Sequence, residues 1–89
     1  MAIQRGFVIC NDAHLPFRRW LKSTETTGRG SPPMPPLIKV GDVKYWWGSD
    51  PMNAHVWETR QLAVDFIILV DDQLYWWDIL VIESVFIKK

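Results

Sequence analysis

Ile38-Lys39-Val40-Gly41-Asp42-Val43-Lys44-Tyr45-Trp46-Trp47 is followed thirty residues later by Ile68-Leu69-Val70-Asp71-Asp72-Gln73-Leu74-Tyr75-Trp76-Trp77. Ile, Val, Asp, Tyr and two Trp recur in step. Each copy reads as an apolar strand, a polar break and an aromatic strand, so the pair predicts a duplicated β-hairpin. In the first copy a two-residue Gly41-Asp42 connection suits a type I′ or II′ turn, because Gly accepts positive φ without penalty. That register sets Val40 against Val43 and Ile38 against Tyr45.

In the second copy a loop at Asp71-Asp72 predicts a long hairpin from His55 to Lys88. Counting outward, Ile68 faces Tyr75, Phe66 faces Trp77, Arg60 faces Glu83, Thr59 faces Ser84 and Trp57 faces Phe86. Most of these are favourable cross-strand pairs, and Asp65 against Asp78 is the unfavourable one. Val, Ile, Thr, Trp and Phe dominate both arms, which favours strand. The alternative for 51–60 is a helix from Pro51 to about Arg60, capped by Asp50 with Pro in its first position.

Toward the N-terminus, Gln4 to Cys10 reads as a strand with Phe7, Val8 and Ile9 at its centre. Pro16 to Lys22 suits a short helix, with Phe17, Trp20 and Leu21 on one face. Residues 23–36 read as a Pro/Gly-rich loop, with Pro-Pro-Met-Pro-Pro at 32–36 as its stiff, polyproline-like part. The expected fold is a single domain over 1–89, mainly β with α+β as the alternative. It is a small antiparallel sheet or partly closed barrel built from two similar hairpins, with one short N-terminal helix.

Composition narrows the function. The chain of 89 residues has no apolar run long enough for a membrane span. Cys10 is the only cysteine, and no export signal is visible, so a cytoplasmic setting without disulfides is expected. One Cys and two His do not make a closed zinc site, and no phosphate loop is present. Cys10 reads as a buried thiol and Asp71-Asp72 as a solvated turn. The expectation is therefore no catalysis, no metal and no cofactor.

What the chain has in surplus is aromatic rings. Neighbours on a strand point to opposite faces, so Trp46 lies opposite Tyr45 and Trp47, and Trp76 opposite Tyr75 and Trp77. Both faces of the sheet then carry rings. One face makes the core, and the other is covered internally, covered by another subunit, or left as a binding surface. Val40-Gly41-Asp42-Val43 followed by aromatics, with Asp72-Gln73-Leu74-Tyr75-Trp76 and a later Ile-Leu-Val-Ile strand, somewhat resembles Tudor-type SH3-like barrels across residues 37–86. Some members of that family cage methylated Lys or Arg. The resemblance implies Tyr45, Trp47, Tyr75 and Trp77 as cage residues, acting by cation–π attraction.

Net charge is zero, but residues 1–44 hold seven bases against three acids, and residues 45–89 the reverse. The leading expectation is a non-enzymatic binding module that uses Tyr45, Trp46, Trp47, Trp57, Tyr75, Trp76 and Trp77 for a protein partner or for self-association, as a homo-oligomer such as a dimer. The alternative is a nucleic-acid-binding regulator using Arg18, Arg19, Lys22, Arg29, Lys39 and Lys44.

Overall fold

The computed structural model describes residues 3–25, 35–51 and 53–88, with side chains over 5–25, 35–51 and 53–86. Along the chain run β1 (Ile3–Asn11), β2 (Arg19–Ser23), β3 (Ile38–Val40), β4 (Val43–Gly48), α1 (Arg60–Leu69), a 3-10 turn (Asp71–Gln73) and β5 (Leu80–Lys88). The strands form one antiparallel sheet in the order β3-β4-β2-β1-β5. The fold is mainly β, as expected. The sheet stays open, with distinct edges at β3 and β5, and does not close into a barrel.

The first copy of the repeat folds as its residues dictate. Val40 pairs with Val43 and Ile38 with Tyr45, and Gly41 turns the chain at φ +59, the left-handed region that glycine occupies freely. The second copy is not a hairpin. Residues 60–69 are helical, Tyr75-Trp76-Trp77 lies in a turn, and β5 pairs with β1 along its whole length, from Ile3 opposite Lys88 to Asn11 opposite Leu80. None of the pairings expected for a long 55–88 hairpin forms, and the helix begins at Arg60 rather than Pro51.

Two forces explain the helix. Thr59 caps it, its hydroxyl accepting from the Leu62 N–H at 3.1 Å. Ala63, Phe66, Ile67 and Val70 repeat at helical spacing and pack on the sheet, and that burial overrides the β-preference of the intervening Val and Ile. The expected helix over Pro16–Lys22 is absent too. Arg19–Ser23 is a strand between β1 and β4, with Leu21 opposite Trp47 and Phe17 left in solvent. In strand geometry Leu21 and Ser23 turn inward while Trp20 and Lys22 take the opposite face.

The core lies between α1 and the sheet, around Ile9, Leu21, Ile38, Tyr45, Ala63, Phe66 and Val70. Each large side chain buried there stabilises the fold by about 1.5–3 kcal/mol. β1 and β2 bond each other only near Cys10–Trp20 and Asn11–Arg19. Where they part, the segment 54–57 enters: Ala54 bridges to Lys22, and Trp57 exchanges both backbone bonds with Phe7. To reach that gap the chain crosses β2 after Gly48, and the buried Lys22 ammonium reaches the Asp50 carboxylate at 3.0 Å. No helix among the described residues is long and apolar enough to cross a membrane.

Candidate aromatic cleft

The structure brings one ring of the first aromatic triplet, Trp47, to two rings of the second, Tyr75 and Trp77, though not as twin strands. Asn11, the last residue of β1, does the positioning. Its amide donates to Asp78 Oδ1 at 2.9 Å, and its Oδ1 accepts from the backbone N–H groups of Ala13 and Ile79. Asp78 Oδ2 accepts from the Tyr75 N–H at 2.9 Å, and the Asp78 N–H donates to the Tyr75 carbonyl. The 75–79 turn is thereby tied to the end of β1, and both Asp78 oxygens are engaged.

That turn stacks Tyr75 on Trp77, with ring centres 4.5 Å apart and planes 4° from parallel. Trp76 points away, edge-on to Trp77, and is 90% exposed. Tyr75, Trp77 and Trp47 of β4 line a cleft of about 450 Å³, whose other walls include Pro35, Pro36, Arg19 and His14. Asn11 and Asp78 lie in its lining, but their side chains are spent on each other and on the turn.

The remaining candidates are dispersed. Tyr45 and Trp46 are buried, Tyr45 in the core against Phe66 and His55, and neither is open to a partner. Burial raises the Tyr45 phenol above its ordinary value. Trp57 packs on His55 and Phe66. Of the four cage residues implied by the Tudor-type resemblance, three therefore meet and Tyr45 is lost to the core.

Among the bases, Arg18 holds Asp12 through two nitrogens, at 2.7 and 2.9 Å, and also reaches Glu83. The hydrogen bond to Asp12 pushes its pKa above the usual arginine range. Lys22 is buried, while Lys39 and Lys44 sit opposite each other on β3 and β4. Arg29 lies outside the described residues, as does most of the 23–36 loop. Of the described members of the set, Arg19 alone lines the cleft, and it makes no ion pair among the described residues.

Neither Cys10 nor His55 lines the cleft. Cys10 is buried, and desolvation, helped by Glu83, raises its thiol to about 11, so it is protonated at neutral pH. His55 is held away from the cleft, its Nδ1 2.8 Å from the Ser23 hydroxyl. Among the described residues no group of three or more His, Cys, Asp or Glu is placed to hold a metal ion.

Sequence reasoning missed Asn11, Asp78 and the Pro35-Pro36 wall. The Asn11–Asp78 pair joins residues from opposite ends of the chain, and no local pattern announces it. No family model matches the chain, and the comparisons with curated proteins and with solved structures found no match.

Proposed function

We propose that the protein is a non-enzymatic binding module, and that its cleft takes an extended, proline-containing segment of a protein partner next to an acidic residue. One observation carries this reading: the stacked Tyr75–Trp77 pair and Trp47 line an open cleft whose further wall is the chain's own Pro35 and Pro36. Flat aromatic rings accept pyrrolidine rings well, and proline-rich segments bind with little ordering cost because they are already extended. Those rings are held in place before any partner arrives, since the Asn11–Asp78 clamp fixes their turn, and pre-organisation lowers the cost of binding. Both Asp78 oxygens already accept from Asn11 and Tyr75 N–H groups, so the charged group free to hydrogen-bond a ligand is the Arg19 guanidinium, which favours a carboxylate.

The nucleic-acid reading has less support. Arg18 and Lys22 are neutralised by carboxylates within the fold, and Arg19 stands apart from the Lys39–Lys44 pair. A cytoplasmic setting is supported only by the single buried thiol.

Tryptophan fluorescence titration with two short peptides tests the proposal, one Pro-Pro-Glu-Pro-Pro and the other with Lys replacing Glu. The acidic peptide is expected to bind more tightly. Trp77→Ala abolishes binding, and Arg19→Ala removes the preference between peptides at a cost of about tenfold in affinity, in line with one charge-assisted contact. Binding that survives Trp77→Ala unchanged, or no binding of either peptide at millimolar concentration, sinks the reading.

A further inference from the structure

The two edges of the sheet are treated differently. β3 is three residues long, and its outward-facing backbone groups at Lys39 are both occupied. The Lys39 N–H donates to Gln73 Oε1 at 2.8 Å, and the Gln73 amide donates back to the Lys39 carbonyl at 2.9 Å. One glutamine side chain thus imitates a neighbouring strand and closes that edge. β5 is nine residues long and has no such cover among the described residues.

Which groups of β5 stay open follows from β1. Phe7 exchanges both backbone bonds with Trp57, at 2.9 and 2.8 Å, so its N–H and C=O point away from β5. By the alternation of an antiparallel ladder, Gly6, Val8 and Cys10 point toward β5, where their partners are Val85, Glu83 and Val81. The Asp12 N–H, which donates to the Ile79 carbonyl at 2.8 Å, fits the same alternation. The N–H and C=O groups of Leu80, Ile82, Ser84, Phe86 and Lys88 therefore face outward. An edge of this length is a template for another strand, and natural sheets blunt it with proline, bulges or charges; no proline or bulge interrupts Leu80–Lys88, and the charge of Glu83 at its centre is paired with Arg18.

The strand is also complementary to itself. Laid antiparallel to a copy with Ser84 opposite Ser84, it sets Ile82 opposite Phe86, Leu80 opposite Lys88 and Glu83 opposite Val85. Every outward-facing pair then falls at a hydrogen-bonding position, and no like charges meet. Phe86, 72% exposed in the isolated chain, gains an apolar neighbour in Ile82. Centring the axis at Ile82 instead leaves Phe86 without one.

We propose that two copies of this chain pair through β5, antiparallel about a two-fold axis at Ser84, and join their sheets into one continuous sheet. The contact is isologous, each copy giving and receiving the same bonds, so it closes at the dimer. The aromatic cleft plays no part in it. A contact of one strand pair lies at the small end of specific interfaces, so dissociation falls at about micromolar concentration.

Sedimentation of the full chain from about 1 µM to 1 mM tests this against Ser84→Lys, Ser84→Glu and Ser84→Pro. Residue 84 is exposed and bonds nothing in β1, so the charged variants are expected to keep the far-ultraviolet spectrum and melting temperature. The wild type is expected to dimerise. Ser84→Lys and Ser84→Glu are each monomeric alone, at least about tenfold weaker, and dimeric when mixed, because opposite charges then meet at the axis. Ser84→Pro removes an outward N–H and is monomeric as well. A wild type that stays monomeric to 1 mM, a dimer that persists in both charged variants, or a Lys/Glu mixture that stays monomeric overturns the proposal. Trp77→Ala leaves the dimer intact, and its loss in that variant would move the contact to the cleft and overturn the proposal too.

Discussion

Between the rings of Tyr45 and Trp57, the His55 imidazole is held 5.4 and 4.4 Å from theirs, with Nδ1 bonded to the buried Ser23 hydroxyl. Burial lowers its pKa below the ordinary 6.5, outweighing the opposite pull of Glu25. The folded state therefore favours neutral imidazole, while the unfolded chain takes up its proton near the ordinary value. Below that pH the unfolded state binds more protons, so stability falls as the pH drops, until the folded-state pKa is passed. One group contributes a slope of at most about 1.4 kcal/mol per pH unit. Urea midpoints are expected to fall between pH 7 and pH 5 in the wild type and to fall less in His55→Gln, which keeps a polar neighbour for Ser23 without titrating. Parallel curves for the two proteins would show that His55 is not the group responsible. Lys22 is buried too, and there Asp50, itself largely exposed, meets its Nζ at 3.0 Å.

At the scale of elements, the repeat and the fold make opposite demands on residues 66 and 68. A second hairpin would set Phe66 and Ile68 on one face of a strand and treat them alike. In α1 Phe66 is buried against Tyr45 and Trp57, whereas Ile68 is 68% exposed. Phe66→Ala is expected to cost about 3–5 kcal/mol in urea unfolding, and Ile68→Ala within about 0.5 kcal/mol of nothing. Equal losses would restore the hairpin. The first hairpin was legible because its turn is local: Gly41 supplies positive φ and the register follows by counting. The second was not, because Asp71-Asp72 has no glycine to make such a turn, and Ala63, Phe66, Ile67 and Val70 keep helical spacing inside a run that intrinsic preference assigns to strand. β2 was misread for the converse reason, since Phe17, Trp20 and Leu21 match a helix face but β4 offers Leu21 and Lys22 a ladder. Three rings of the cleft were visible as aromatic positions, whereas the Asn11–Asp78 clamp that places two of them, Tyr75 and Trp77, depends on how distant parts of the chain meet.

The whole molecule turns on that meeting. β1, the first strand, lies between β2 and β5, the last one, and its fully buried Ile9 and Cys10 sit opposite Ile82 and Val81. The ion pairs follow the same plan: Arg18–Glu83 and Lys22–Asp50 each join the basic first half of the chain to its acidic second half, so part of the charge asymmetry is consumed inside the fold. The Arg18–Glu83 pair is open to solvent, which screens it, and burial along β1 is the larger effect. Domains of this size are stable by only about 5–10 kcal/mol. Deleting residues 80–89 uncovers one side of β1, removes Ile82 from the core and leaves Arg18 with Asp12 alone. Those losses together exceed the margin, so the chain ending at Ile79 is expected to lose its cooperative unfolding transition and the near-ultraviolet signal of its tryptophans. Adding a peptide of residues 80–89 is expected to restore both in a concentration-dependent way, because β1 still presents the ladder and the apolar row that β5 fills. A truncated chain that still unfolds cooperatively would show that β2, β3, β4 and α1 hold the core without the last strand. In that case β5 would be an appendage of the sheet.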